Sequence, residues 1–125
     1  MARNLILVGV GGFLGSVSRY LVTVLLARQF TSSFPLGTLT VNVVGCFPIG
    51  ILFALSEKGN LLTPEWRIFL TTGFCGGFTT FSTFSYESIR LLQDGEILYL
   101  SLNVALSVIV GFAATYLGMF FIKSV

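Results

Sequence analysis

Charge is almost absent from three long stretches of this chain and confined to the two ends of a fourth, and that pattern decides what it can fold into. Residues 4–27, 36–56, 65–92 and 97–123 are apolar enough and long enough for a helix to cross a bilayer core of about 30 Å. Hydrophobic residues make up 54% of the 125 and charged residues 10%, which is too little charge to cover a water-soluble domain of this size. The connections are short, so residues 1–125 are expected to form one four-span, all-α membrane unit with no soluble catalytic domain. A cleaved leader is disfavoured, because the first run contains Arg19 and no small-x-small site precedes a soluble portion. There is no His, and Cys46 and Cys75 both fall inside predicted spans, so neither a transition-metal site nor a disulfide framework is expected. A net charge of +2 without a basic run gives nucleic acid nothing to bind.

Four spans place both termini and the middle connection on one side of the bilayer. That side carries Arg3, Lys58, Arg67 and Lys123; the other carries Arg28 and Arg90, and Arg19 if it reaches that surface. Orientation follows the Lys/Arg bias, and a bias this weak permits either direction of insertion, hence an antiparallel pair of copies. One fixed orientation set by a single charge is the alternative. Four helices also fill their own centre with side chains, so a homodimer is the smallest assembly expected to enclose a hydrated path. Small residues for close helix contact are present as Gly11 and Gly15, and as Ser107, Gly111 and Thr115 at four-residue spacing. Whether they serve contacts within or between subunits is open at this stage.

Several polar side chains sit where lipid would not tolerate them. Thr38 and Asn42 share one face of the second span, and Asn103 and Ser107 share one face of the fourth. An amide facing hydrocarbon would lose several kcal/mol, so both Asn are expected to face protein or water. They either join helices by hydrogen bonds or line a polar track. Arg19 lies deep in the first span; it either snorkels to the interface or stands in a hydrated mouth, where its charge would concentrate anions. Spans one, two and four hold no acidic residue, which argues against a proton-coupled cation exporter.

The third span is the strangest. "GFCGGFTTFSTFSYES", residues 73–88, holds three glycines and six Ser or Thr hydroxyls. A helix break near 75–80 is expected there, and a break at membrane depth survives only where it is buried or lines a cavity. Beyond it Phe81 and Phe84 stand three apart on one face, following Phe78 and interleaved with Ser82, Thr83 and Ser85 before Glu87. Such a stripe is ordinarily core or lipid contact. Ring edges are electropositive, however, and together with hydroxyl donors they could replace the water shell of a small anion without holding it too tightly.

At "GGFLGSVSRY", "GTLTVNVVGC" and "GFCGGFTTFSTFSYE" the chain resembles the Fluc (CrcB) family of fluoride channels, and the resemblance covers its whole length. It implies an antiparallel, dual-topology homodimer with two fluoride pores, each built from both subunits, in a bacterial inner membrane. It implies passive export of F⁻ from the cytoplasm and resistance to fluoride, not an enzyme. Phe81 and Phe84 match the ring pair of the pores, Asn42 the pore-facing asparagine, and Arg19 the arginine of the vestibule. Thr38 falls one turn before Asn42, Ser82 and Thr83 fall on a hydroxyl track, Glu87 lies toward its end, and Ser107 matches a pore serine. The family holds a structural Na⁺ at the dimer centre on backbone carbonyls, which by position are those of Gly76 and Thr79. The chain departs from the pattern at Asn103, where many relatives carry Tyr. A small multidrug exporter would need a carboxylate in span one, which has Arg19 instead; a subunit that merely packs against a larger complex would leave no hydrated path. "GGFTT" lacks the Lys and Ser/Thr ending of a phosphate loop, and no base–nucleophile pair is visible.

Overall fold

The computed structural model describes residues 1–59 and 61–125. Its elements are helices α1 (Ala2–Gln29), α2 (Leu36–Glu57) and α3 (Pro64–Ile68), a π-helical stretch π1 (Phe69–Cys75), and helices α4 (Gly76–Phe78), α5 (Phe81–Gln93) and α6 (Ile97–Lys123). Every regular element among the described residues is helical, as expected. α1, α2 and α6 are each long and apolar enough to cross a membrane. The expected interruption is also present: Thr79 and Thr80 are extended, with ψ of 160° and 122°, between α4 and α5.

The element ends have local causes. Thr63 caps α3 by accepting from Trp66 N, with Pro64 in the first turn where its missing N–H is harmless. Gly95, at φ 74°, closes α5: its N–H donates to Leu92 O while Glu96 N donates to Leu91 O at 2.8 Å. That pair of bonds satisfies the last carbonyls of α5 and reverses the chain into α6. Two polar ties mark one end of the molecule. Arg3 meets Glu65 at 3.4 Å, and Lys58 Nζ donates to the carbonyls of Ile122 and Val125 at 3.1 and 2.9 Å. The other end is marked by Phe34 and Tyr99, edge to face with ring centres 5.4 Å apart.

Glycine, more than side-chain bulk, brings the helices together. A Cβ on Gly11 would stand 2.5 Å from Phe69 O, and one on Gly15 would strike Phe74 O. From the other side, a Cβ on Gly77 would meet Gly12 O at 2.6 Å. α1 therefore lies backbone to backbone on π1 and α4. α2 and α6 cross in the same way, with Gly50 on Thr115 O and Gly118 on Phe47 O. These small residues serve contacts inside the subunit, and Thr115 adds a 3.2 Å hydrogen bond to Cys46 O. In lipid the hydrophobic effect does not press helices together, so close backbone approach and interhelical hydrogen bonds carry the fold. The buried apolar core is correspondingly small: Val41, Leu52, Ala54, Cys75 and Leu91.

Gly118→Val should separate α2 from α6, lowering stability by about 1–3 kcal/mol or more. Gly12→Ala, whose new methyl would find its nearest neighbour at 3.9 Å, should leave the thermal midpoint in detergent unchanged. Equal midpoints for both variants would remove close glycine packing as the basis of the crossing.

Candidate functional site

The break in the third segment is held open by one side chain. In a continuous helix Thr80 N–H would return to Gly76 O. Here it donates to Asn42 Oδ1 at 2.8 Å, while Asn42 Nδ2 donates to Thr80 O at 3.0 Å. One amide on α2 thus satisfies both backbone groups of a single extended residue. Without it, two backbone polar groups at the break would be left bare among apolar helices.

Thr80 is also the cap of α5. Its Oγ1 accepts from Thr83 N at 3.2 Å, and hydroxyl contacts run on to Thr83 Oγ1 at 3.2 Å and Ser82 Oγ at 3.4 Å. Thr83 N–H is consequently turned away from Thr79 O, its partner in an unbroken helix. The carbonyls of Gly76 and Thr79 are therefore both released from the helical ladder. Gly77 O is met by Arg19 Nε at 2.9 Å, which ties the first span to the end of α4. Thr79 turns its own N–H and hydroxyl back to Cys75 O. Gly76 and Thr79 thus fit a hard cation that takes neutral oxygen ligands.

Two cavities meet at Thr80. One, of about 240 Å³, is lined by Arg19, Thr38, Thr80, Thr83 and Glu87 with Ser16, Tyr20, Thr23 and Val41. It runs on toward the α1–α2 connection through a second space that shares Thr23, Thr38 and Glu87. The other, of about 250 Å³, lies between Asn42, Thr79, Thr80 and Phe81, with Gly45, Cys46 and Ile49. The Phe81 and Phe84 rings lie 5.7 Å apart, centre to centre, and are tilted by 46°. Phe81 is 78% exposed on the single chain.

The structure thus gathers Arg19, Thr38, Thr83 and Glu87 on one cavity and Asn42, Thr79 and Phe81 on the other. Ser82 stands exposed beside Thr80. Phe84 touches Phe81 but lines neither space. Ser107 sits on α6 with a buried hydroxyl that has no partner, as do Glu87 Oε1 and Asn103 Oδ1. Sequence reasoning did not pick out Thr80 as the hub of the break. The signal was present: a threonine three residues before Thr83, at the start of a periodic run, is an N-cap pattern. Gly77 as the acceptor for Arg19 carried no signal at all, since it depends on the α1–α4 contact.

Long apolar helices around a capped break, with two cavities that share Thr80, define an integral membrane protein. The chain belongs to the family described as CrcB-like protein, Camphor Resistance (CrcB), whose model matches residues 6–119. It is 52% identical over 118 residues to a protein of Chlorobium phaeobacteroides called "Fluoride-specific ion channel FluC", covering 94% of this chain and 91% of that one. Proteins of the same name in Chlorobaculum tepidum and Leptospira interrogans are 52% and 41% identical, covering 97% and 98% of this chain and 95% and 97% of theirs.

Asn42→Leu should leave two backbone groups of Thr80 unmet, each worth about 1–3 kcal/mol. The expected result is a clear fall in unfolding midpoint in detergent, against no change for Val44→Leu on the exposed face of the same helix. A stable Asn42→Leu protein would show that the break holds itself open.

Proposed function

We propose that this chain is the subunit of a fluoride-selective channel that lets F⁻ leave the cytoplasm passively. The observation that carries the reading is the convergence of Arg19, Thr38, Asn42, Phe81, Thr83 and Glu87 on two cavities that share Thr80. This occurs in a chain about half identical to proteins named for fluoride conduction. Hydrofluoric acid is a weak acid, entering cells neutral and ionising inside. A downhill pore is then enough, since the membrane potential supplies about 2.3 kcal/mol per charge per 100 mV. The result is resistance to fluoride.

In this reading the third segment crosses the bilayer as well. Support comes from the two ends: Pro64 lies near the Arg3 and Lys58 ties, whereas Gln93 leads into the Phe34–Tyr99 end. Two copies inserted in opposite directions in a bacterial inner membrane form the working unit, with two pores. The near balance of Lys and Arg between the ends permits this, and the bare Phe81 ring calls for a neighbour other than solvent.

Each residue then has a task. Arg19 raises the anion concentration in the polar cavity, and the Thr38, Ser82 and Thr83 hydroxyls replace water around the ion. Asn42 has its carbonyl oxygen turned to Thr80 N–H, which keeps that acceptor from facing the anion and leaves one amide N–H to donate. Phe81 and Phe84 offer ring edges, and Ser107 offers an unpartnered hydroxyl. The Glu87 carboxylate opposes Arg19 across the cavity and sets its net charge. Gly76 and Thr79 from each copy would hold Na⁺ through their carbonyls; bound there, the ion would supply fixed positive charge between the two breaks.

Purified protein in liposomes should release F⁻ and retain Cl⁻. Equal passage of both halides would remove the selectivity claim, and passage of neither would favour a packing subunit. Phe81→Ile and Phe84→Ile should each cut fluoride efflux steeply while the dimer still elutes intact; undiminished efflux in both would return the stripe to ordinary packing. Replacing Na⁺ by a large organic cation should weaken association of the two copies, and an unchanged dimer would count against the carbonyl site.

A further inference from the structure

α5 bears both rings of the stripe, yet it is lightly held. Ser88 and Leu91 are its buried residues, three apart on one face, while Tyr86 and Ile89 on its other sides are exposed and Phe81, two turns before Ser88, is bare at the start of the helix. Its other side-chain hydrogen bonds stay within the helix or its cap: Arg90 with Tyr86, and Thr83 with Thr80. Two side-chain contacts join α5 to other helices: Asn103 Nδ2 donates to Ser88 Oγ at 3.1 Å from α6, and Thr38 on α2 reaches the Glu87 carboxylate.

Asn103 is an expensive residue to place there. It is 0% exposed, and its Oδ1 finds no donor. A leucine would pack in the same space without an orphaned acceptor, so stability alone does not account for the amide. A single buried polar group at a helix–helix seam has another use, which is to fix register and rotation at some loss of stability.

The geometry carries this further. Phe84 precedes Ser88 by four residues and stands one turn away on the same face of α5. Whatever sets the rotation of Ser88 therefore sets the direction of the Phe84 ring. Along α6, Ser107 follows Asn103 by one turn. Because α5 and α6 form a tight hairpin closed at Gly95, Phe84 and Ser107 stand level, one turn from the Ser88–Asn103 bond.

We propose that Asn103 is a positioning residue for conduction, fixing the rotation of α5 through Ser88 so that the Phe84 edge and the Ser107 hydroxyl address the same ion. This deepens the fluoride reading and rests on it. Asn103 does not touch the ion; it acts through Ser88.

The test is fluoride efflux from liposomes by wild type, Asn103→Leu, Ser88→Ala, Ser88→Thr and the Asn103→Leu/Ser88→Ala double variant, each checked for dimer elution. Asn103→Leu and Ser88→Ala should each slow efflux roughly tenfold, the scale expected when a working group is displaced by a fraction of an ångström. Ser88→Thr, which keeps the hydroxyl, should restore most of the rate. The double variant should be no slower than Asn103→Leu, because both changes break one bond. Losses that multiply, full activity in either single variant, or a Ser88→Thr protein as slow as Ser88→Ala would overturn the proposal. Where Asn103→Leu fails to fold, the Ala and Thr variants of Ser88 decide alone. A silent wild type would instead sink the channel reading, and this inference with it.

Discussion

The two hydrogen bonds between Asn42 and Thr80 are the constraint on which the rest of the structure depends. A helix at membrane depth resists interruption because each freed peptide group loses its partner where water is scarce. Asn42 removes that obstacle at one residue, by offering a donor and an acceptor from the same amide. Once Thr80 is held extended, its hydroxyl becomes the cap of α5. The carbonyls of Gly76 and Thr79 are released, and two cavities open on either side of one threonine. Break, cap, cavities and candidate cation ligands thus all depend on one side chain bonded to the backbone of one residue.

That pair works only because its two helices are held at a fixed distance. Gly45 lies under the Thr79 methyl, and Gly11, Gly15 and Gly77 let α1 touch the backbone on the far side of the break. Arg19 then completes the frame by meeting Gly77 O. The arginine thus has two uses that do not compete: one N–H binds the frame, and the side chain lines the polar cavity. Its placement deep in an apolar span follows from the first use as much as from the second.

Much of this was legible in the residues themselves. Three long, nearly uncharged runs read as membrane-crossing helices, and Asn42, Arg19 and the hydroxyl cluster were conspicuous because lipid does not tolerate them unaccompanied. The glycines and threonines of "CGGFTT" marked a break within a few residues of where it lies. What could not be read was partnership. Residue type allows Asn42 either to join helices or to line a polar track, and it is the fold that turns its oxygen to the Thr80 N–H. Ser88 looked like one more hydroxyl among six, since its bond to Asn103 depends on how a hairpin closes at Gly95. Likewise, the small residues at four-residue spacing could have served a neighbouring copy, and the contact that assigns them to the subunit's own interior is between distant parts of the chain.

The π-helical stretch from Phe69 to Cys75 has a bearing beyond its own geometry. Its wider turn takes up an extra residue without breaking the run of hydrogen bonds, and such bulges are frequent at functional sites. Thr71 steadies it from within by donating to Arg67 O at 2.7 Å. Trp66 and Phe69 lie against each other where it begins; beyond it and the extended Thr79–Thr80 link, Phe81 and Phe84 pair at the start of α5. The bulge therefore acts as a rotary offset between the Trp66 end of the segment and α4. Removing one residue from the bulge would turn the helix beyond it by about 100° relative to Trp66, as far as the break at Thr79.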